Sequence, residues 1–216
     1  ARAVEDGQGD PGHMMTIDFL KREDNVFGQP KADRAKWSEG LGIKDAIEDK
    51  TEVYLHVGCH LSYDEALWPV IRGAAAILQQ AGVDFGIAKK EETCCGGRAF
   101  EMGYRHEFAS YAESLAGRLK EAGSKILLTC CADGYGTFKQ LYPVVGYDFE
   151  DIEVLHITEY IERLIAEGKI EFTENVPMQV TYHDPCHLGR LGEPIKHWDG
   201  EIKMDEELDM YLTDPV

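Results

Sequence analysis

The chain has 216 residues, 44% of them hydrophobic, enough for one packed domain with a real core and too many for a disordered chain. Its formal net charge of −18 repels phosphate backbones, so nucleic acid is excluded as a partner class. No apolar run reaches the ~18 residues of a transmembrane span, and no basic segment followed by an apolar one opens the chain, so neither a membrane span nor a secretory signal is expected.

In chain order, residues 1–14 are polar and glycine-rich and are expected to be unstructured. Residues 15–37 read as an irregular strap over a core, with Ile17, Phe19 and Leu20 able to cover a short helix and Phe27-Gly28-Gln29-Pro30 forming a turn. From Thr51 the pattern becomes regular. Strands are predicted over 52–58, 83–87, 125–129, 153–155 and 179–183, and helices over 64–81, 104–122, 135–142 and 158–167. Alternation of this kind predicts an α/β fold, a Rossmann-like parallel sheet with helices on both faces. Tyr160 and Trp198 read as core or rim aromatics, and Asp205-Glu206-Glu207 as a solvated loop.

The six cysteines fall on this map at strand ends. Cys59 follows the first strand, Cys94-Cys95 the second, Cys130-Cys131 the third and Cys186 the fifth; His156 ends the fourth. Strands of a parallel sheet end on one edge, where open α/β sheets bind ligands, so Cys59, Cys94, Cys95 and Cys131 are expected to converge there. Vicinal cysteines bridge each other poorly, because the ring strains the peptide between them, so free thiols in a reducing compartment are expected.

Two segments repeat. His56-Val57-Gly58-Cys59-His60-Leu61 and His183-Asp184-Pro185-Cys186-His187-Leu188 share the pattern His-x-x-Cys-His-Leu at an offset of 127 residues. The repeat predicts a duplicated domain, with 1–50 a strap, 51–176 the first copy and 177–216 the start of a second. A second vicinal pair at the first copy's spacing would fall at position 221, beyond Val216, which suggests a piece of a longer protein.

Soft thiolates from separate loops suit an iron–sulfur cluster, and zinc or metal-free thiol redox chemistry remain alternatives on spacing alone. Gly96-Gly97 directly after Cys95 would let the backbone approach an inorganic core. His56, His60, His183 and His187 flank the thiols and suit hydrogen bonding or proton delivery. Arg98 and Arg190 could pair with a substrate carboxylate or phosphate.

The pattern Cys-x(~35)-Cys-Cys-Gly-x(~35)-Cys resembles the cysteine-rich CCG motif of heterodisulfide reductase catalytic subunits. Gly58-Cys59-His60-Leu61, Cys94-Cys95-Gly96-Gly97-Arg98 and Tyr182-His183-Asp184-Pro185-Cys186-His187-Leu188-Gly189-Arg190 resemble the HdrD-like branch, and within it DsrK, over roughly Asn25 to Trp198. The resemblance implies a [4Fe-4S] cluster of non-cubane type on Cys59, Cys94, Cys95, Cys131 and Cys186, at which a disulfide or trisulfide is cleaved with Cys186, His187 and His60 nearby. It implies a membrane quinone-linked partner subunit, a DsrC-like small protein or small heterodisulfide as substrate, and a cytoplasmic site peripheral to the membrane. A flavin-linked lactate or glycolate oxidase subunit and a metal-free docking scaffold are the alternatives. Aligned with the family's Cys-x-x-Cys, Cys131 takes the first position and Gly134 the second, so one thiol of the set is missing. The chain alone is therefore expected to be inactive and poor in cluster after handling in air.

Overall fold

A computed structural model describes residues 2–149, 151–193, 200–204 and 210–212. Five parallel strands form one sheet: β1 (Lys44–Asp45), β2 (Val53–His56), β3 (Phe85–Ile87), β4 (Ile126–Thr129) and β5 (Glu153–His156), in the order β1-β3-β2-β4-β5. The helices are α1 (Arg2–Glu5), α2 (Pro11–Glu23), α3 (Cys59–Tyr63), α4 (Trp68–Gln80), α5 (Gly97–Glu101), α6 (Arg105–Ala122), α7 (Ala132–Gly136) and α8 (Ile157–Ala166). A separate antiparallel pair, β6 (Ile202–Met204) and β7 (Met210–Leu212), lies outside this sheet.

Side chains alternate across a strand, so one strand feeds two cores. Val53, Leu55, Leu128 and Leu155 pack with Ile71, Ala75 and Leu78 of α4, Tyr160 and Leu164 of α8, and Trp37. On the other face, Tyr54 and Leu127 pack with Phe108, Ala112, Leu115 and Leu119 of α6, and with Ile17, Leu20, Phe138 and Tyr142. Both faces are covered, which explains why the strands read as continuous apolar runs. The predicted α/β architecture with helices on both faces is the one observed.

The strand order also fixes where loops diverge. The chain leaves β2 for β3 on one side, then crosses back over β2 to β4 and continues outward to β5. Connections from the adjacent strands β2 and β4 therefore run in opposite directions, opening a crevice beyond their carboxyl ends. The register places His56, Thr129 and His156 side by side at that edge.

Four local expectations are corrected. Residues 1–14 are not unstructured: α1 forms there and α2 begins at Pro11, because Asp10 caps it by accepting hydrogen bonds from the backbone N–H of Gly12 (2.8 Å) and His13 (3.3 Å) and Pro11 takes a first-turn position. The strap supplies an edge strand, β1, paired in register with Gly86 and Ile87. The helix predicted over 64–81 is two helices: a 3-10 turn over Glu65–Leu67, capped at its start by the Asp64 side chain accepting the Ala66 N–H at 3.0 Å, and then α4 from Trp68, with Pro69 in its first turn. No strand forms at 179–183: the segment is exposed and has no ladder partner among the described residues. Tyr160 is in the core, whereas Trp198 and Asp205, Glu206 and Glu207 lie outside the described residues.

Docking of β1 depends on a missing side chain. A Cβ at Gly86 would lie 2.8 Å from both the N and Cα of Ala46. Gly86→Ala is therefore expected to push the strap off the sheet and cost about 1–3 kcal/mol, read as a lower denaturant midpoint with the slope unchanged.

Candidate functional site: a four-thiol cleft

One cleft of about 40 Å³ opens at the crevice and is lined by Cys59, Cys94, Cys95 and Cys131 together with Val26, His56, His60, Arg98, Thr137 and His187. The four thiols come from three elements. Gly58, at φ 80°, turns the chain so that Cys59 starts α3 directly after β2. The loop after β3 carries Cys94 and Cys95, and Gly96, also at φ 80°, turns it into α5. Cys131, two residues beyond β4, stands at the start of α7, and its carbonyl accepts the Tyr135 N–H at 2.9 Å. The predicted convergence of these four is what the structure places at the crevice.

Every one of the four sulfurs meets a donor. Cys59 accepts from the Val26 N–H and faces the Arg34 guanidinium, with Nη2 3.8 Å from Sγ. Cys94 accepts from the Gly96 N–H at 3.4 Å, Cys95 from Gly97, and Cys131 from Gly134 and Asp133. Backbone N–H groups aimed at sulfur stabilise thiolates and cluster ligands.

The thiols also share protons. Cys94 hydrogen-bonds to both Cys59 and Cys95, and these contacts, with burial, push the Cys94 thiol well above its ordinary range. The same Cys94 bond, helped by the Arg34 charge, brings Cys59 down to about 6. Cys95 is also lowered, first by Cys94 and then by the Gly97 N–H. Burial, with the Cys95 charge beside it, pushes Cys131 up to about 12.

Behind Cys59 lies a pair the sequence did not disclose. Arg34 and Glu92 are almost fully buried, with Nη1 3.0 Å from Oε1. Arg34 Nη2 also donates to the Asp24 carbonyl at 2.7 Å, and the guanidinium sits over the Tyr63 ring at 5.4 Å. Burial works against the Arg34 charge, but the Cys59 and Glu92 charges outweigh it and raise its pKa. Glu92 accepts the N–H groups of Val57 and Gly58, both at 3.1 Å. Asn25, fully buried, holds the turn that brings Val26 to the cleft: Nδ2 donates to the carbonyls of Glu23 and Gln29, and Oδ1 accepts from Phe27 and Gln29. Position in a strap gave Arg34 no signal; Glu92 stands only two residues before Cys94, in a charged run that reads as a solvated loop.

The remaining singled-out residues divide. His56 is buried, its Nε2 3.1 Å from the Thr93 carbonyl, and burial lowers its pKa, so the ring is neutral. His60 is exposed at the mouth, edge-on to Phe27 at 4.8 Å. His156 caps α8, with Nδ1 2.9 Å from Thr158 Oγ1 and its N–H donating to Glu159 at 2.7 Å, so it acts as a capped strand end. Arg98 pairs with Glu101 at 2.7 Å and with Asp133. Cys130 is not at the cleft; it packs against the opposite core, in a groove with Val57, Leu61 and Leu67, and burial pushes its thiol up to about 12.

Cys186 does not stand at a strand end, because no strand forms before it. It is exposed and begins a turn over Cys186–Arg190 that leaves it off the cleft wall. Its neighbour His187 reaches the mouth, Nε2 2.7 Å from Glu101 and Nδ1 2.9 Å from Asp133. Two carboxylates on one ring hold this segment over α7.

The four thiols are a soft, redox-competent donor set with amide donors behind them, and in that chemistry they fit an iron–sulfur group. Among the described residues no three His, Cys, Asp or Glu side chains surround a point where a single metal ion could sit.

Residues 53–139 match the Cysteine-rich domain family. The chain is 33% identical over 191 residues to an EtfAB:quinone oxidoreductase of Syntrophomonas wolfei, covering 85% of this chain and 26% of that protein. It is 32% identical over 169 residues to a dihydromethanophenazine:CoB–CoM heterodisulfide reductase subunit of Methanosarcina mazei, covering 77% and 40%. A probable iron–sulfur-binding oxidoreductase of Bacillus subtilis is 28% identical over 198 residues, covering 88% and 28%. The chain thus spans from about a quarter to two-fifths of the length of these curated relatives. No solved structure matches. No helix among the described residues is long and apolar enough to cross a membrane.

In the metal-free chain, thiolate ultraviolet absorbance is expected to rise in a first step near pH 6, thiol below and thiolate above. Cys59→Ser should remove that step, and a first step that persists in this variant would assign it to another sulfur.

Proposed function

We propose that this chain, homologous to the HdrD-type subunit of heterodisulfide reductase and to related iron–sulfur oxidoreductases, is the cluster-holding, thiol-handling part of a disulfide-converting electron-transfer subunit. One observation carries the reading: Cys59, Cys94, Cys95 and Cys131 line one crevice at the carboxyl edge of the sheet, each sulfur beside an N–H donor. These four would hold a [4Fe-4S] group, of the non-cubane kind that the resemblance implies, with Cys186 brought in as a further ligand. When bound, that group supplies single electrons to a disulfide.

The chain's own residues do the rest. The amides of Val26, Gly96, Gly97 and Gly134 hold negative charge on sulfur, and Arg34 holds it on Cys59. His60 and His187 stand at the mouth, where a proton is needed by a leaving thiolate. Neutral, buried His56 forms part of the cleft lining. We assign residues 51–176 to a first cysteine-rich domain, 1–50 to a strap packed over it, and 177–216 to the start of a duplicated copy that carries Cys186.

The proposed setting is peripheral, on the cytoplasmic face of a membrane, with a quinone-linked partner subunit. Resemblance to the DsrK-like branch makes a DsrC-like small protein the proposed disulfide carrier, with a small heterodisulfide in its place if the chain acts on the substrate named for the heterodisulfide reductases. The likeness to an EtfAB:quinone oxidoreductase favours a second reading, electron exchange between an EtfAB partner and quinone without a disulfide.

Anaerobic reconstitution with iron and sulfide is expected to load roughly four irons and four sulfides per chain, and Cys→Ala at 59, 94, 95 or 131 to lower both sharply. A chain that takes up neither would remove the cluster reading. Reduction of an added disulfide by the full-length protein separates the two substrate readings.

Position 134 offers a second test. A Cβ there would lie 3.6 Å from the Cys131 Cβ and 3.3 Å from Thr129 Oγ1, on the cleft wall and crowded but tolerable. Gly134→Cys is expected to slow iron loss in air, supplying the thiol absent from the motif; unchanged loss would show that the alignment of Gly134 with a ligand is wrong.

A further inference from the structure

Arg34 is a buried guanidinium that faces a cleft sulfur from inside the core. It is 1% exposed, its charge is constant over the working pH range, and Nη2 stands 3.8 Å from Cys59 Sγ. Its countercharge Glu92 bonds to Nη1 at 3.0 Å and grips the backbone leading into Cys59 through the N–H groups of Val57 and Gly58. Water screens neither charge, because both side chains are at most 3% exposed.

We propose that Arg34 and Glu92 are positioning residues that set the reduction potential of the group held at Cys59, Arg34 raising it and Glu92 lowering it. The inference rests on the cluster reading given under Proposed function. The physics is simple: reduction adds one electron, and so one negative charge, to the iron–thiolate centre. A fixed cation beside a ligand sulfur favours the reduced form, and a fixed anion opposes it. A purely structural pair would behave differently, since either substitution would loosen the site in the same way.

The opposite signs give the test. The chain is reconstituted anaerobically and titrated with dithionite, following the cluster by its electron paramagnetic resonance signal. Arg34→Gln is expected to lower the midpoint by about tenfold in the reduction equilibrium, ~59 mV for one electron, and Glu92→Gln to raise it by a similar amount. The double variant Arg34→Gln/Glu92→Gln should fall between the two singles, and Arg34→Lys, which keeps the charge, should stay nearer wild type than Arg34→Gln. If Arg34→Gln does not fold, Glu92→Gln and Arg34→Lys carry the test, because glutamine can still accept the Val57 or Gly58 N–H. Shifts of one sign in both partners, or no shift in Glu92→Gln, would overturn the proposal while leaving a loaded cluster and the cluster reading intact. A wild-type chain that loads no iron would overturn both.

Discussion

The buried Arg34–Glu92 pair holds the cleft together. Glu92 sits two residues before Cys94 and accepts the amides immediately before Cys59, while Arg34 reaches from the strap to the Asp24 carbonyl. The Asp24 carbonyl also accepts the Cys94 N–H at 3.0 Å, so the strap, the β2 exit and the β3 exit meet at one knot. Removing one partner of a buried ion pair costs about 3–5 kcal/mol, because the other is left uncompensated away from water. Replacing both by apolar residues could cost far less, so stability alone is a weak reason for the pair. Its place behind a thiol is a better one.

Topology explains why thiols from positions 59, 94, 95 and 131 can meet. Three parallel strands end on one edge, and the reversal of winding between β2 and β4 leaves a gap that neither crossover fills. Short turns at Gly58 and Gly96 bring the sulfurs to the gap before α3 and α5 carry the chain away. The sheet therefore supplies position, and the backbone amides supply charge stabilisation.

Much of this was legible in the sequence. Apolar runs marked β2 to β5 because both faces of the sheet are buried, and the cysteines at their ends followed from the parallel arrangement. What was not legible depended on distant contacts. β1 is two residues long and exists because Gly86 admits the Ala46 backbone. Arg34 lies 58 residues from Glu92 and no local pattern links them. The segment at 179–183 has a strand's alternation, but a strand needs a neighbour, and among the described residues none lies beside it. Cys186, placed by its likeness to Cys59, shares that residue's motif without its setting.

The two vicinal pairs show how much setting decides. Cys94 and Cys95 both line the cleft, since they lie in a loop that has left the sheet. Cys130 and Cys131 follow β4 directly, in chain that is still extended at Cys131, so successive side chains diverge: Cys131 joins the cleft and Cys130 enters the opposite core. Their thiols are pushed up for reasons that differ in consequence. Cys130 is held protonated by burial among apolar side chains, and then by the charge on adjacent Cys131, and it serves as packing. Cys131 is held up by burial and by the charge on Cys95, and its sulfur already has the Gly134 and Asp133 amides in place. A cation among the cleft sulfurs would offset the Cys95 repulsion and leave burial opposed by the amide bonds already in place, so charging Cys131 costs less on metal binding, whereas Cys130, facing the opposite core, has no amide donors set for its sulfur among the described residues.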